Sequence, residues 1–560
     1  MDAEDTSKQK EVTPPRRFSV DENLNSLLNS VVDEVSAYAD RLGGQIKKLS
    51  DIGRALSGVY DLNTLLEMIV DQARNFTNAD AGTLYIVEDS TLRFQIVQND
   101  SLKIRMGGKT GETIPFPAVE LKESNVSAFV ALKGVSVNIP DVYDTDLFDF
   151  TGPKKFDQST GYRSQSMLVV PMRNHDNDVI GVLQLLNATN PTTNQVISFS
   201  QDYENLCESL ASQAAVSITN AKLISNMTEL FEAFVKVMAT AIDEKSPVTG
   251  GHIRRVADLT LTMADVIHNS KEGAYKDITF TPDQIYELRI AAYMHDIGKV
   301  TSPVEIVEKA KKLQTIFDRI QYIRLRMAYI SQKLVLEGQS KKIELLQNGY
   351  SPEKLDALET DTHNKLEEIK EIREFINKCN EPGEFLEDET LERLKEISKK
   401  TYIDDEGEQQ PFLTEDELLN LSIRRGSITE AERKKMQDHA AVTLRMLKQI
   451  PFTKKLKNIP DFAGAHHEFI NGKGYPLGLK GDEIPFEGKL MAVADIAEAL
   501  TASDRPYKKA MPLETVHRIL RSMAEKEELD NGLVELFIEK GVYKLYQETY
   551  ETDTTKEQKA

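Results

Sequence analysis

The sequence predicts a multidomain chain, in which a small α+β domain with a mixed sheet flanked by helices precedes an all-α domain. Three observations support this prediction. Strand-like runs such as AGTLYIVE and VIGVLQLLNA cluster between residues 58 and 225. From residue 228 onward, apolar residues recur at the spacing of helices. A charged, helix-forming stretch at 314–422 separates two parts of the second domain, which indicates a helical-hairpin insertion.

The N-terminal segment contains two different regions. Residues 1–20 are polar and contain adjacent prolines, and we expect them to form a disordered tail. Across residues 21–57 apolar residues recur at helical spacing, from Leu24 through Val31 to Val35. This pattern predicts an amphipathic helix and a candidate contact for a homodimer.

The α+β domain is predicted at 58–225. A helix precedes the strand-like runs, the last two of which are separated by the turn-forming residues HDND. A closing helix begins near Asp202, and its helical period hardly breaks across 203–242. Packing on its own domain is one interpretation of this helix. Its length and its place between two domains favour a connecting helix that transmits movement.

The all-α domain is predicted at 228–550, interrupted by the helical insertion at 314–422. Alternating charges with a thin apolar stripe, as in IFDRIQYIRLRMAYI, indicate a protruding helical hairpin. The helical parts on either side of the insertion contain most of the histidines of the domain.

Composition excludes several classes of function. The 560 residues include 69 Lys plus Arg and 90 Asp plus Glu, a net charge of -21. Such an acidic chain has no general attraction for a nucleic acid polymer or an anionic membrane. No apolar run has the length of a membrane span, and the N-terminal residues lack the apolar core of a signal peptide. With only Cys207 and Cys379 to pair, we expect a cytoplasmic protein without a disulfide framework.

The histidines form the main candidate site. Four of the nine stand singly, and we interpret His175, His268, His363 and His517 as surface or core residues. The other five have chemically suggestive neighbours, and two acidic residues, Asp296 and Asp495, lie in mainly apolar helices. Imidazole and carboxylate suit Fe, Mn, Zn and similar ions. If Asp296 bridged two such ions, they could activate water and neutralise a phosphate, and an acidic chain could then bind an anion.

Three motifs in this part of the chain occur in a specific order: MHDIGK, HHEFINGKGYPLGLKGDEIP and VADIAEALTASDRPYK. They resemble the motifs of the HD-GYP phosphodiesterases, a branch of the HD superfamily that opens cyclic dinucleotides. The resemblance covers about 228–313 and 423–545. It implies an all-helical fold and two divalent metal ions, with Fe or Mn favoured and Zn, Ni, Co or Mg as alternatives.

The same resemblance implies roles for individual residues. Asp296 and Lys299 would be catalytic, with Asp296 bridging the two ions and Lys299 projecting toward the substrate phosphate. The first ion would be bound by His252, His295, Asp296 and Asp495. The second would be bound by Asp296, His439, His466 and His467. The substrate loop, which is also a candidate contact for a protein partner, would contain Gly474, Tyr475, Pro476 and Arg505.

The chain departs from the family pattern at three places. Asn471 stands where the family usually has Asp, which leaves the hydrogen bonding of the loop open. Val248 stands where many members have a Glu that can support a third metal, so we expect two ions. The insertion separates Lys299 from His439, which lie much closer in the uninterrupted family. No metal ligand is lost.

The front domain resembles a GAF domain through NIPDVYD, KKFDQSTGYRSQSMLVVPM and VIGVLQLLNATN. These segments are similar to the cyclic-nucleotide-binding subtype of mammalian phosphodiesterases, although Asn187 is followed by Ala188 instead of Lys. The resemblance implies a cyclic mononucleotide as ligand. The alternative is a domain that serves only as a dimer scaffold. The implied pocket contains Asn138, Phe156, Asp157, Thr160, Tyr162 and Arg163.

We therefore expect a bacterial signalling enzyme, a metal-dependent cyclic di-GMP phosphodiesterase regulated by its GAF domain. Its product would be a linear dinucleotide, with further cleavage to GMP as an option. One alternative is the same chemistry on cyclic GMP-AMP or on a cyclic mononucleotide. Another is a non-catalytic receptor for a cyclic dinucleotide, which the loss of a metal ligand would favour.

Overall fold

The computed structural model of the chain forms two compact units, Met1–Leu230 and Phe231–Ala560. No helix in the described part of the chain is long and apolar enough to cross a membrane. The residues that the structure describes are 18–59, 61–110, 112–245, 251–349, 352–383, 385–502 and 510–557.

The first unit is an α+β domain behind a long N-terminal helix. Its helices are α1 (Glu22–Ser57), α2 (Leu62–Thr77), α3 (Val126–Lys133), α4 (Thr151–Thr160) and the beginning of α5 (Gln201–Asp243). Its strands are β1 (Ala79–Glu88), β2 (Thr91–Asn99), β3 (Ile104–Gly107), β4 (Val119–Glu120), β5 (Val137–Ile139), β6 (Met167–Arg173), β7 (Val179–Thr189) and β8 (Val196–Ile197).

The sheet has the order β3-β2-β1-β7-β6-β5, with β4 beside β2 and β8 beside β7. The predicted α+β class is confirmed, but the sheet is antiparallel and not mixed, because neighbouring described strands all run in opposite directions. A short connection explains the antiparallel pairing of β1 with β2. Only Asp89 and Ser90 join β1 to β2, and both have positive φ, as a tight hairpin turn requires. Short connections of this kind permit antiparallel pairing only.

The sheet is covered on both faces. Along β6, Leu168 and Val170 pack with α2 and α5 in one core, while Met167 and Val169 contribute to a second core that includes α3 residues. This alternation follows from the two-residue period of a strand. The second core adjoins the cavity described below.

The second unit is helical. The end of α5 packs with helices from both sides of the insertion around one apolar core. The helices of this unit outside the insertion are α6 (His252–His268), α7 (Pro282–Met294), α8 (Val304–Val307), α13 (Glu430–Leu447), α14 (Ile459–Gly464), α15 (Phe486–Thr501), α16 (Leu513–Glu525), α17 (Asn531–Glu539) and α18 (Val542–Glu557).

The insertion has its own apolar core. Its two long helices are α9 (Ile320–Gln347) and α10 (Pro352–Asn380), which confirms the predicted helical hairpin. Contacts from Arg324 to Asn377 and from Lys342 to Glu359 show that these helices run antiparallel. The structure adds elements that the pattern of charges did not predict: α11 (Asp388–Ser398), the hairpin of β9 (Thr401–Ile403) and β10 (Gln409–Pro411), and α12 (Glu415–Leu421).

Candidate metal centre

The candidate metal centre is assembled largely at helix ends. His252 is the first residue of α6, and His295 with Asp296 follows the last residue of α7. His439 lies within α13 and Asp495 within α15. The pair His466 and His467 follows α14, which ends at Gly464.

The end of α14 explains how adjacent histidines can face one site. On a continuing helix their side chains would point about 100° apart. Because the helix ends before them, the rings of His466 and His467 lie with centroids 4.0 Å apart. A ring contact of 5.1 Å also brings His467 to His439.

A glycine brings the two halves of the site together. Asp296 precedes a 3₁₀ turn at Ile297–Thr301, which packs directly on α13. A Cβ atom on Gly298 would lie 2.0 Å from the carbonyl oxygen of His439, so a larger residue cannot occupy this position. The Gly298 N–H donates to Thr443 Oγ1 at 3.0 Å, which holds the turn against the helix.

Asp296 lies at the centre of the site. Its Oδ2 is 3.1 Å from His295 Nε2 and 3.4 Å from His252 Nε2. Its Oδ1 is 3.3 Å from His439 Nε2 and 3.9 Å from His466 Nε2. The two carboxylate oxygens therefore face two different sets of histidines.

Two ligand groups are compatible with two ions. His252, His295 and Asp296 can place one donor atom each within 4.8 Å of one another, and so can His439, His466 and His467. Asp495 lies between the groups. Its Oδ1 is 3.2 Å from His252 Nε2, and its Oδ2 is 3.9 Å from His467 Nδ1.

The hydrogen bonds of the histidine rings leave Nε2 available. His295 Nδ1 lies 2.6 Å from the Ala292 carbonyl oxygen, and His466 Nδ1 lies 2.6 Å from that of Ala463. His439 Nδ1 makes the same contact with the carbonyl three residues earlier. An Nδ1–H that donates to a carbonyl fixes the tautomer with its lone pair on Nε2.

The inner donor atoms are buried without partners. Unpaired buried polar atoms are costly, and several converging on one point fit ligands of a cation. Within the described part of the chain, these atoms have no hydrogen-bond partner: Asp296 Oδ1 and the Nε2 atoms of His252, His295, His439 and His466.

The electrostatics favour neutral imidazoles at His466 and His467 beside an ionised carboxylate at Asp296. Burial lowers the pKa of His466 well below its usual value and that of His467 to about 3. Burial alone would raise the pKa of Asp296, but Lys299 and His295 hold it well below its ordinary value. His252 differs, because contacts with Asp296 and neighbouring carboxylates outweigh burial and raise its pKa.

Lys299 and the Gly-Tyr-Pro loop border the site. Lys299 Nζ is 2.5 Å from Asp296 Oδ2, and the side chain is 26% exposed. The Tyr475 N–H donates to the His467 carbonyl at 3.1 Å, and the rings of these two residues lie 4.8 Å apart. A Cβ on Gly474 would lie 2.3 Å from Phe469 N, so only glycine allows the loop to fold back this closely.

Two carboxylates that the sequence analysis did not single out support the site. Glu468, 2% exposed, accepts backbone N–H groups of the loop from Leu477 at 2.6 Å and Leu479 at 3.0 Å. Glu498 contacts His252 Nδ1 and accepts from Arg255 Nε at 2.7 Å. The signal for Glu498 was present, because it follows Asp495 by three residues on an apolar helix and therefore shares its face.

Two positions raised by the sequence lie outside the described residues. These are Arg505, within 503–509, and Val248, within 246–250.

The first unit contains a cavity of about 400 Å³. Aromatic side chains line much of it, and the rings of Tyr85 and Phe94 lie 4.6 Å apart. Of the six predicted pocket residues, Phe156 and Tyr162 line this cavity. The other four, Asn138, Asp157, Thr160 and Arg163, are not among its lining residues.

The contacts of those four residues explain their placement. Asn138 donates to the Phe199 carbonyl at 3.1 Å, and Thr160 donates to the Phe156 carbonyl at 2.8 Å. Arg163 pairs with Asp141 at 3.5 Å and is largely exposed. Asp157 is buried and accepts from the Tyr143 hydroxyl at 2.8 Å and from the Ser164 N–H at 2.8 Å. These side chains are engaged in contacts within the fold.

Comparison with known families identifies both units. The GAF domain family matches residues 61–218, and two families described as HD domain match 249–381 and 415–533. A cyclic di-GMP phosphodiesterase of Thermotoga maritima is 27% identical over 267 residues, covering 45% of this chain and 69% of that protein.

Two relatives come from Vibrio cholerae. The 3'3'-cGAMP-specific phosphodiesterase 3 is 43% identical over 96 residues, which are 17% of this chain and 20% of the relative. The 3'3'-cGAMP-specific phosphodiesterase 1 is 32% identical over 125 residues, which are 22% of this chain and 27% of the relative. The chain thus spans about a quarter or less of these two proteins. It combines an N-terminal GAF domain with HD domain matches on both sides of residue 400.

Proposed function

We propose that the chain is a metal-dependent cyclic-dinucleotide phosphodiesterase regulated by its GAF domain. The observation that carries the proposal is the convergence of unpartnered histidine Nε2 atoms on the two oxygens of Asp296. The names of the three relatives reported above support the substrate class, because each is named as a phosphodiesterase of a cyclic dinucleotide.

Two divalent ions fit the two ligand groups, with Fe or Mn favoured over Zn, Ni, Co or Mg. When bound, such ions activate water and neutralise charge on a phosphate. We assign the first ion to His252, His295, Asp296 and Asp495. We assign the second to Asp296, His439, His466 and His467.

The chain's own residues would then orient the substrate. Lys299 is partly exposed beside Asp296, where its ammonium can bind a phosphate oxygen and offset the growing negative charge. The ring of Tyr475 lies beside that of His467, and Glu468 holds the loop by accepting backbone N–H groups that follow Pro476. In the reaction, the oxygen of water bonds to phosphorus while the bond to the ribose 3'-oxygen breaks. The product is a linear dinucleotide, which a second cleavage would convert to mononucleotides.

Cyclic di-GMP is the first candidate substrate, because a relative covered over 69% of its length is named for it. Cyclic GMP-AMP is the second, because a relative specific for 3'3'-cGAMP has 43% identity over its shorter match. With either substrate, the metal centre would bind the phosphate and the Gly-Tyr-Pro loop would distinguish the bases.

The cavity of the GAF domain is the proposed regulatory site. Its volume of about 400 Å³ and its aromatic walls suit a purine ring, and a cyclic mononucleotide is the ligand we propose. Regulation requires a different ligand affinity in the two activity states, typically about 1–3 kcal/mol. Calorimetry on the full chain with cyclic AMP and cyclic GMP tests the binding. Absence of heat with either nucleotide would favour a scaffold role.

The chain is also proposed to form a homodimer, and the Gly-Tyr-Pro loop to contact a protein partner. Leu477, immediately after Pro476, is 60% exposed. An exposed apolar side chain on a loop held by Glu468 is consistent with such a contact.

Turnover of a nucleotide panel tests the main proposal. Full-length protein loaded with Mn²⁺ or Fe²⁺ is incubated separately with cyclic di-GMP, cyclic GMP-AMP, cyclic AMP and cyclic GMP, and products are separated by chromatography. We expect a linear dinucleotide from at least one cyclic dinucleotide. Tight binding without product would identify a receptor, and cleavage of cyclic AMP or cyclic GMP alone would move the substrate class to mononucleotides.

A further inference from the structure

A lysine just beyond the end of α5 reaches the backbone beside the metal centre. The end of α5 is fixed by Ile242, which is buried in the core of the helical unit. Lys245 follows three residues later. Its Nζ lies 3.1 Å from the carbonyl oxygen of Lys299, 2.5 Å from that of Val300 and 2.7 Å from that of Ser302.

The N–H donors of Lys245 match the carbonyl acceptors that they contact. A lysine ammonium offers three N–H donors and no acceptor. The last carbonyls of a helical turn form its negative end, and they can accept further donors. The Lys299 carbonyl also accepts the Ser302 N–H at 3.0 Å. Here one cation meets three carbonyl oxygens at the end of the 3₁₀ turn Ile297–Thr301. Lys245 therefore closes this turn.

The turn is held from two sides and carries a residue of the site. On one side, Gly298 packs on α13 and donates to Thr443. On the other side, Lys245 binds its last carbonyls. Between these two contacts stands Lys299, whose Nζ is 2.5 Å from Asp296 Oδ2. The backbone of Lys299 is thus bound directly by the ammonium of Lys245.

We propose that Lys245 is a positioning residue, which fixes Lys299 against Asp296 and couples the end of α5 to the metal centre. The inference rests on the proposed function, since Lys299 acts on the phosphate only if the chain is a phosphodiesterase. A shift at the end of α5 would move the carbonyls of residues 299–302 and, with them, the ammonium of Lys299.

The kinetic test compares Lys245→Met, Lys299→Met and the double variant with the wild type. Misplacing a catalytic group by about 1 Å can cost about 100-fold in rate, so we expect Lys245→Met to lower kcat by about 10- to 100-fold. The metal content, measured by elemental analysis, should be unchanged. The matched control is Lys236→Met, which removes an exposed lysine from α5 itself and should leave kcat unchanged.

The double variant separates positioning from a purely structural role. If Lys245 acts through Lys299, adding Lys245→Met to Lys299→Met should lower kcat by less than about twofold more. If the two lysines acted independently, the two losses of kcat would multiply in the double variant, and that result would overturn the proposal. A Lys245→Met protein with wild-type kcat, or one that loses its metal, would overturn it as well.

Hydrogen exchange gives a readout that does not need activity. In metal-free protein, Lys245→Met should speed amide exchange in residues 297–302 by about tenfold, while the GAF sheet exchanges as in the wild type. Lys245→Arg keeps a cation with several donors, so its amides in residues 297–302 should be more protected than those of Lys245→Met. If Lys245→Met does not fold, Lys245→Arg is compared with the wild type in its place. If the wild type hydrolyses no cyclic dinucleotide, the proposed function fails, and unchanged exchange in both variants would separately refute the contact.

Discussion

At the scale of single residues, Asp296 presents one oxygen to each half of the metal centre. Because it is the shared member of both proposed ligand groups, Asp296→Ala should lower the bound metal from about two ions per chain to less than one. Turnover should be lost with it. Elemental analysis beside kinetics on the same preparation measures both quantities.

Asp438 supplies the control for this variant. It is exposed, it directly precedes His439, and Asp438→Ala should leave metal content and activity as in the wild type. Full activity in Asp296→Ala would refute the bridging role. Three ions per wild-type chain would refute the dinuclear site.

Asn471, which stands where the family usually has Asp, makes one hydrogen bond that an aspartate could not make. Its Oδ1 accepts the Lys473 N–H at 2.9 Å, which an aspartate could also do. Its Nδ2 donates to the Lys526 carbonyl at 3.0 Å, which an aspartate could not do. Asn471→Asp would place a negative charge beside that carbonyl, and we expect the second, helical unit to lose about 1 kcal/mol of stability. Thermal unfolding tests this against Asn194→Asp in an exposed loop, and equal melting of the two variants would contradict it.

The two cysteines should be unreactive in the folded chain. Both are buried, and burial raises the pKa of Cys207 to about 12 and that of Cys379 above its usual value. At pH 8 both are therefore protonated, whereas the reactive species is the thiolate. We expect no alkylation by iodoacetamide at pH 8 before denaturation, and two modified residues per chain after it, as counted by mass spectrometry.

The same pKa shifts have a consequence for stability. A thiol whose pKa is raised by folding favours the folded state below the pKa of the unfolded thiol, about 8.5. That contribution is lost as the pH rises from there toward the folded value. Rapid alkylation of the native protein at pH 8 would contradict both the burial and the shift.

At the scale of elements, the hairpin of α9 and α10 is buried only at its base. The buried residues of α9 lie between Ile320 and Ile330, and those of α10 lie between Ile369 and Asn380. The distal halves are joined by exposed pairs such as Lys342 with Glu359, and such pairs contribute little stability. Replacing residues 335–364 by a short linker should leave the melting temperature and the metal content unchanged.

A longer deletion provides the contrast. The base of the hairpin packs on the segments that enter and leave it. The side chain of Asn380 accepts the Leu313 N–H at 2.8 Å, and both Leu313 and Leu421 are fully buried. Replacing residues 318–415 removes Asn380 and exposes these leucines, so this variant should melt at a lower temperature. If the short deletion already loses metal, the distal hairpin supports the site and the prediction is wrong.

The elements also show what the sequence could predict. The hairpin followed from alternating charges with a thin apolar stripe, and the histidines stood out because of their motifs. The direction of strand pairing did not follow, because periodicity reports which face is buried and not which neighbour is paired. The strands β9 and β10 have three residues each, too short for a periodic signal. The contacts of Asn138 depend on residues distant in sequence, and those of Asp157 depend on the local path of the chain. A sequence pattern reports neither.

At the scale of the whole molecule, α5 carries an exposed apolar stripe whose spacing alternates between three and four residues. From Val216 to Val237 its members are all at least 40% exposed, and Phe234 is 59% exposed. This is the heptad spacing of a coiled coil, and Asn220 occupies one of the seam positions, where a polar residue specifies register in parallel dimers. The seam positions are Val216, Asn220, Leu223, Met227, Leu230, Phe234, Val237 and Ala241.

A helix of this kind requires a partner with the same period, and a second copy of the chain supplies one. We therefore expect light scattering to give the mass of a dimer for the wild type. Two charges in the seam, Met227→Glu with Leu230→Glu, should convert it to a monomer, because like charges would be buried opposite each other without partners. The control, Lys222→Glu with Thr228→Glu, adds two acidic residues outside the seam and should leave the dimer intact. A wild-type monomer at micromolar concentration, or a dimer that survives the seam charges, would show that α5 does not form the interface.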